Sequence, residues 1–153
     1  MANTDQYHLN ALQLSLQNID YRKYPILLVD DDQDVLQTMS AIFEDTFDVD
    51  STTRTDEAIK MLHEKEYAVL VSDQKMPQVS GVGLLAMAKE MAPRTIRVLL
   101  TGYTDLDSAI DAINESYVFR YIQKNISTEE KENHIKDAIE HYLLTQPQGG
   151  SQS

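Results

Sequence analysis

The sequence predicts an α/β domain in which a parallel sheet of five strands is covered on both faces by helices. Two continuous apolar runs, Ile26-Leu27-Leu28-Val29 and Tyr67-Ala68-Val69-Leu70-Val71, have the composition of strands buried on both sides. Strand-like and helix-like segments then alternate strictly, giving five strand-helix pairs and, by the usual handedness of crossovers, a parallel sheet. Finally, four of the five strands finish on residues that carry chemistry: Asp30 and Asp31, Asp73, Thr101 and Lys124.

The elements follow in order. Residues 1–24 form an N-terminal extension in which Leu9, Leu12, Leu16 and Ile19 share one helical face, so the spacing predicts a helix over residues 6–19. Such a helix is too short to stand alone. It docks on its own domain, pairs with a second copy as a homodimer element, or stays partly disordered. After Pro25 comes the first strand, ending on Asp30-Asp31-Asp32, and a helix from Asp34 to Asp45 with Val35, Met39, Ile42 and Phe43 inward. Phe47-Asp48-Val49-Asp50 alternates as a short strand, and Thr55 is the expected N-cap of a helix that buries Ala58, Ile59 and Leu62. The central strand delivers Asp73 to a turn, and Gly81-Val82-Gly83 opens a helix with Leu84, Leu85, Met87, Ala88 and Met91 toward the sheet, stopped by Pro93. Ile96-Arg97-Val98-Leu99-Leu100 runs into Thr101-Gly102, and Asp105 caps a helix with Leu106, Ala109, Ile110 and Ile113 on one stripe. Val118-Phe119-Arg120-Tyr121-Ile122 is the last strand. Ser127 and Glu130 form a capping box before a helix burying Ile135, Ala138, Ile139, Tyr142 and Leu143. Residues 25–144 thus read as one domain, and residues 145–153 as a disordered polar tail.

Composition narrows the function. Thirteen basic against twenty-five acidic side chains leave a net charge of −12, which repels phosphate backbones and argues against nucleic-acid binding by this chain alone. No segment approaches the roughly 20 apolar residues that span a bilayer, and the first residues lack the basic and apolar regions of a signal peptide, which points to the cytoplasm and away from membranes. The absence of cysteine removes disulfides, thiol catalysis and thiolate metal sites. Any metal here is held by oxygen or imidazole.

Parallel strands place their carboxyl ends on one edge, where open α/β sheets put their ligand crevice. Three carboxylates converging there repel one another and call for a cation. Oxygen ligands make Mg²⁺ the natural occupant, with Mn²⁺ as substitute. A hydroxyl and an ammonium beside it describe a pocket for a phosphoryl group in transfer, with Asp73 as the nucleophile. Taken singly, each feature has a plainer account: the acidic triplet as turn and cap chemistry, Asp73 as a cap, Gly81-Val82-Gly83 as a turn lacking the rest of a phosphate loop. The four histidines show no metal spacing. It is the joint placement at strand ends that carries the functional reading.

These motifs, together with Gln74-Lys75-Met76-Pro77 through Gly81, Val98-Leu99-Leu100-Thr101-Gly102 and Tyr121-Ile122-Gln123-Lys124, closely resemble the receiver domain of two-component response regulators. The resemblance implies a flavodoxin-like, CheY-like three-layer α/β/α sandwich of strand order 2-1-3-4-5, here with an extra N-terminal helix. It implies a phosphoprotein that accepts a phosphoryl group from a sensor histidine kinase or histidine phosphotransfer protein. Such a domain is a phosphoacceptor that assists its own phosphorylation and dephosphorylation rather than an enzyme. By the same resemblance Asp73 is the phosphoacceptor, Asp31, Asp73 and the main-chain carbonyl of Lys75 are direct Mg²⁺ ligands, and Asp30 acts through water. Thr101 is the switch hydroxyl, Lys124 the ammonium that pairs with the phosphoryl group, and Tyr121 the aromatic that swings inward. The output surface is then the fourth predicted helix, fifth strand and fifth helix.

Two positions depart from the family pattern. Asn125 follows Lys124 where proline is usual with a cis peptide, so either the cost of a non-proline cis bond is met or the lysine is held differently. Ser80 stands where an acid is common. Lys75 and Tyr103 flank the path of the hydrolytic water, which implies slow autodephosphorylation. The effector is a separate protein or a C-terminal domain missing from this chain; Leu100-Thr101-Gly102-Tyr103-Thr104-Asp105 and Val118-Phe119-Arg120-Tyr121 resemble receivers joined to cyclic-dinucleotide phosphodiesterase or cyclase domains. Two alternatives stand beside this reading. One is a phosphorylation-inactive interaction or dimerisation module. The other is a small Mg-dependent phosphatase of haloacid dehalogenase type, which leaves Asp73 unexplained and has no room for a cap domain.

Overall fold

A computed structural model describes residues 18–102, 110, 111, 114 and 117–146. A 3-10 turn at Tyr21–Lys23, capped by Asp20, leads into β1 (Ile26–Val29), α1 (Gln33–Phe43), β2 (Val49–Thr52), α2 (Thr55–Glu64) and β3 (Val69–Asp73). The chain continues as α3 (Gly81–Met91), β4 (Ile96–Thr101), β5 (Arg120–Gln123) and α4 (Thr128–Thr145). All strand pairs are parallel, in the order β2-β1-β3-β4-β5. This is the flavodoxin-like architecture expected from the sequence.

Alternation along the strands builds the two layers of core. Ile26, Leu28, Val69, Val71, Val98 and Leu100 point to the side covered by α1 and α4, where they meet Leu36, Phe43, Ile135, Ala138 and Ile139. Leu27, Val29, Leu70 and Leu99 point the other way, against Ala58 and Leu62 of α2 and Leu84, Leu85 and Ala88 of α3. Every residue of β1 and β3 is buried, so Ile26–Val29 and Val69–Val71 read as unbroken apolar runs and β3 closes on the buried Ser72 and Asp73.

Several elements differ from expectation. Phe47 does not begin β2: its amide and that of Thr46 both donate to the Phe43 carbonyl, so the chain is still closing α1, and its ring packs edge-on against Tyr21 and Phe43. The strand therefore starts at Val49 and runs to Thr52. In α1 the buried line passes through Leu36 and Phe43, one helical step from Val35 and Ile42, which are 38% and 36% exposed instead of inward. Met87 of α3 is 41% exposed for the same reason, since Leu84, Leu85 and Ala88 already fill the face. Thr55 is the buried first residue of α2 rather than its cap, and Arg54 at the N-cap makes no side-chain capping bond. At β5, Val118 and Phe119 belong to the approach, because ladder pairing starts with Arg120.

The capping box at α4 is half made: Ser127 Oγ accepts the Glu130 amide, while the Glu130 carboxylate lies 3.4 Å from that hydroxyl. Residues 6–17 of the expected leading helix, 105–109, 112 and 113 of the expected fourth helix, with Leu106, Ala109 and Ile113, and 147–153 of the expected tail lie outside the described residues. Asn18 is in a turn and Ile19 is non-helical, so a helix does not extend to Ile19. Ile110, Asp111 and Asn114 are helical, with Ile110 43% exposed rather than inward.

Candidate functional site

Register decides which strand ends meet. Val29 pairs with Ser72, so the next residue on each strand, Asp30 and Asp73, stand level. Asp73 pairs with Leu100, and Thr101 with Gln123, which sets Thr101 one step and Lys124 two steps further along the same edge. Asp30, Asp73 and Thr101 are buried, whereas Asp31 and Lys124 are open to solvent.

One carboxylate oxygen from each of Asp30, Asp31 and Asp73 lies within 4.8 Å of the others. Lys124 Nζ is 2.5 Å from Asp73 Oδ1. That oxygen is sealed from solvent and, apart from the ion pair, accepts no hydrogen bond among the described residues. Burial pushes the Asp30 carboxyl above its ordinary range; the Asp32 amide, donating to it at 2.9 Å, opposes the rise, and the neighbouring Asp73 charge adds to it. Two buried acids at such separation and a third at the rim form an all-oxygen donor set that fits Mg²⁺ and accommodates Mn²⁺.

Local sequence explains how each group is held. Asp32 is the N-cap of α1, its carboxylate accepting from the amides of Asp34 and Val35, so the triplet divides into two site acids and one cap. Ser80 is the N-cap of α3, accepting from the Gly83 amide. The hydroxyl of Thr101 donates to the Gly102 carbonyl at 3.1 Å. Tyr121 is half-buried on β5 and packs against the core layer under α2 and α3. The Lys124 amide donates to the Thr101 carbonyl at 3.0 Å, extending the ladder to the lysine, which reaches Asp73 with Asn125 behind it. Lys75, two residues past Asp73, is exposed on the turn that follows β3. Tyr103 lies outside the described residues.

Gln74 was not singled out from the sequence. Its amide donates to Leu100, its carbonyl accepts from Gly81, and its side-chain oxygen accepts from Val82 at 2.9 Å. Gln74 therefore closes the turn that carries Lys75 back onto the start of α3. An amide side chain after a strand-end acid gives no periodic signal, so only the fold reveals it.

Comparison with known proteins agrees with this geometry. The family model for the response regulator receiver domain matches residues 26–136. The hydrogenase transcriptional regulatory protein HoxA of Bradyrhizobium diazoefficiens is 28% identical over 78% of this chain, which spans 24% of that protein. The chain thus covers about a quarter of the length of the curated relatives it matches. A response regulator receiver domain protein from Clostridium thermocellum superposes with a TM-score of 0.75 at 30% identity, over 80% of this chain and 99% of that one. The signal receiver domain of an HD domain-containing protein from Pseudomonas fluorescens does so with a TM-score of 0.75 at 30% identity, over 83% and 93%. With the family model matching most of the chain and the fold in agreement, the chain belongs to the receiver domains of response regulators, the phosphorelay modules of two-component systems.

Proposed function

We propose that Asp73 accepts a phosphoryl group from the phosphohistidine of a sensor kinase or histidine phosphotransfer protein. The carrying observation is the setting of that carboxylate: buried at the end of β3, 2.5 Å from the Lys124 ammonium and grouped with Asp30 and Asp31. A carboxylate oxygen of Asp73 attacks phosphorus, an oxygen–phosphorus bond forms as the phosphorus–nitrogen bond breaks, and the electron pair returns to the imidazole. Lys124 leaves its pairing with the carboxylate to neutralise the incoming phosphoryl oxygens. Asp30, Asp31, Asp73 and the Lys75 carbonyl would hold Mg²⁺, or Mn²⁺ in its place. When bound, the ion neutralises charge on the transferring group and offsets the mutual repulsion of the acids.

The switch follows from the same contacts. Thr101 exchanges its bond to the Gly102 carbonyl for one to the phosphoryl group, and the space it leaves admits Tyr121, tilting a two-state equilibrium. Output passes from the surface around β5 and the helices beside it to a separate effector protein or to an effector domain of a longer chain, as the relatives' greater length and the receiver of an HD domain-containing protein suggest. We take residues 25–144 as the receiver unit. Intact mass after incubation with acetyl phosphate and Mg²⁺ tests the proposal. One phosphoryl group is expected on the natural chain, none on Asp73→Asn, and none with EDTA present. No gain, or a gain on both chains, overturns it.

A further inference from the structure

Between Asp73 at the end of β3 and Gly81 at the start of α3, residues 74–80 form neither helix nor strand. Among the described residues, 75–79 enter into no hydrogen bond, while Met76 and Val79 pack against the core layer under α2 and α3. Gln74 is therefore the polar anchor of this loop. Its amide donates to the Leu100 carbonyl and its carbonyl accepts from the Gly81 amide, each at 3.0 Å. Its side-chain oxygen accepts from the Val82 amide at 2.9 Å. The first two are main-chain bonds. The third needs a side chain that carries an acceptor to this reach.

Val82 is the second residue of α3, and its amide is one of the donors that a helix leaves without an intrahelical partner. Ser80 serves the Gly83 amide from within the same turn. Gln74 serves Val82 from the other end of the loop, so one half-buried side chain joins the exit of β3 to the entry of α3. The residue held next to this clasp is Lys75. Its carbonyl is the main-chain member of the proposed Mg²⁺ set, whose other members, Asp30, Asp31 and Asp73, stand at strand ends. A carbonyl in a loop so little bonded takes its direction from the preceding peptide group, and the carbonyl of that group belongs to Gln74.

We propose that Gln74 is a positioning residue for the cation site: through its bond to Val82 it holds the Lys75 carbonyl to the geometry a small ion requires, and so sets selectivity for Mg²⁺ over Ca²⁺. The inference rests on the reading of the acid cluster as a Mg²⁺ site. Mg²⁺ demands a near-ideal octahedron at short range, whereas Ca²⁺ accepts longer and less regular coordination. A slackened carbonyl therefore costs Mg²⁺ more than it costs Ca²⁺. Removing a group that orients a metal ligand commonly weakens binding by about 10–100-fold.

Competition against Mn²⁺, followed by the free-ion signal in electron paramagnetic resonance, gives the affinities for Mg²⁺ and Ca²⁺ without any phosphoryl transfer. Gln74→Leu removes the acceptor, and Gln74→Asn withdraws it by one methylene. Both full-length variants, checked by circular dichroism to be folded at the temperature used, are expected to bind Mg²⁺ about tenfold more weakly while their Ca²⁺ affinity changes little. Gln74→Glu keeps an oxygen at the same reach and should preserve the natural ratio of the two affinities, its added charge strengthening both ions alike. An unchanged ratio in Gln74→Leu and Gln74→Asn, whether both ions weaken equally or neither does, overturns the proposal and leaves Gln74 a structural link. Failure of the underlying site looks different: Mn²⁺ then binds the natural chain and Asp31→Asn equally, or binds neither, and the proposal falls with it.

Discussion

A Cβ on Gly81 would overlap the carbonyl oxygen of Asp73 and stand 2.8 Å from Leu99 Cδ1, so only glycine lets α3 begin this close to the end of β3. Neither neighbour can yield easily: one is backbone of β3 and the other a fully buried side chain. Gly81→Ala should therefore lower stability by roughly 1–3 kcal/mol through overpacking and displace Asp73 with it. Urea unfolding should show the reduced midpoint, and phosphoryl uptake from acetyl phosphate should fall by more than the folded fraction does. Equal losses in both would mean that the turn bears on stability alone. The glycine was visible in the sequence as a turn residue. Its close approach was not, because that distance depends on how α3 packs over β3.

At the scale of elements, the edge opposite the site is held by polar links that the sequence scatters. Tyr67, leading into β3, donates to Asp50 of β2 at 2.6 Å, and Lys65 reaches the same carboxylate oxygen at 3.1 Å. Burial raises the Asp50 pKa, but the bonds from Tyr67 and Lys65 outweigh it and leave the carboxyl below its ordinary 3.8. A depressed folded-state pKa stabilises above the unfolded value, and this is lost as pH falls through the folded one. Asp50→Asn should therefore lower stability at pH 7 by about 1 kcal/mol, allowing for solvent screening of a partly exposed pair. The difference from the natural chain should shrink below about pH 4, as both side chains become neutral. Thermal unfolding across pH 3–7 measures it; a constant difference would exclude Asp50 ionisation as the cause. Arg97 does comparable work on β4, its guanidinium donating to the carbonyls of Tyr117 and Thr95 and so fixing the approach to β5. Burial lowers its pKa from the usual value.

For the molecule as a whole, the site sets clustered acids into an already acidic chain, so the proposed cation binding would be linked to folding. A divalent ion that binds only the folded state at a hundred times its Kd adds about 2.7 kcal/mol. For a domain of this size that raises Tm by roughly 5–10 °C. Mg²⁺ should produce this shift in the natural chain, EDTA should reverse it, and Asp31→Asn should abolish most of it. Asp31 is the choice because it is the exposed member of the trio, so its loss leaves the buried contacts in place. An unchanged shift in Asp31→Asn would move the ion elsewhere.

The sequence by itself determined the sheet, its parallel sense and the acids, hydroxyl and lysine that gather at its carboxyl edge. Buried strands must be continuously apolar, helices must repeat near every fourth residue, and acids, a hydroxyl and a lysine at strand ends need no further information to be assigned to one edge. Tertiary structure alone decided the rest. Whether Asp32 is a site acid or a cap, whether Phe47 opens a strand or closes a helix, and which of Val35 and Leu36 is inward depend on rotations of one residue. Periodicity cannot resolve a rotation that small; the competing hydrogen bonds and the packed neighbours do.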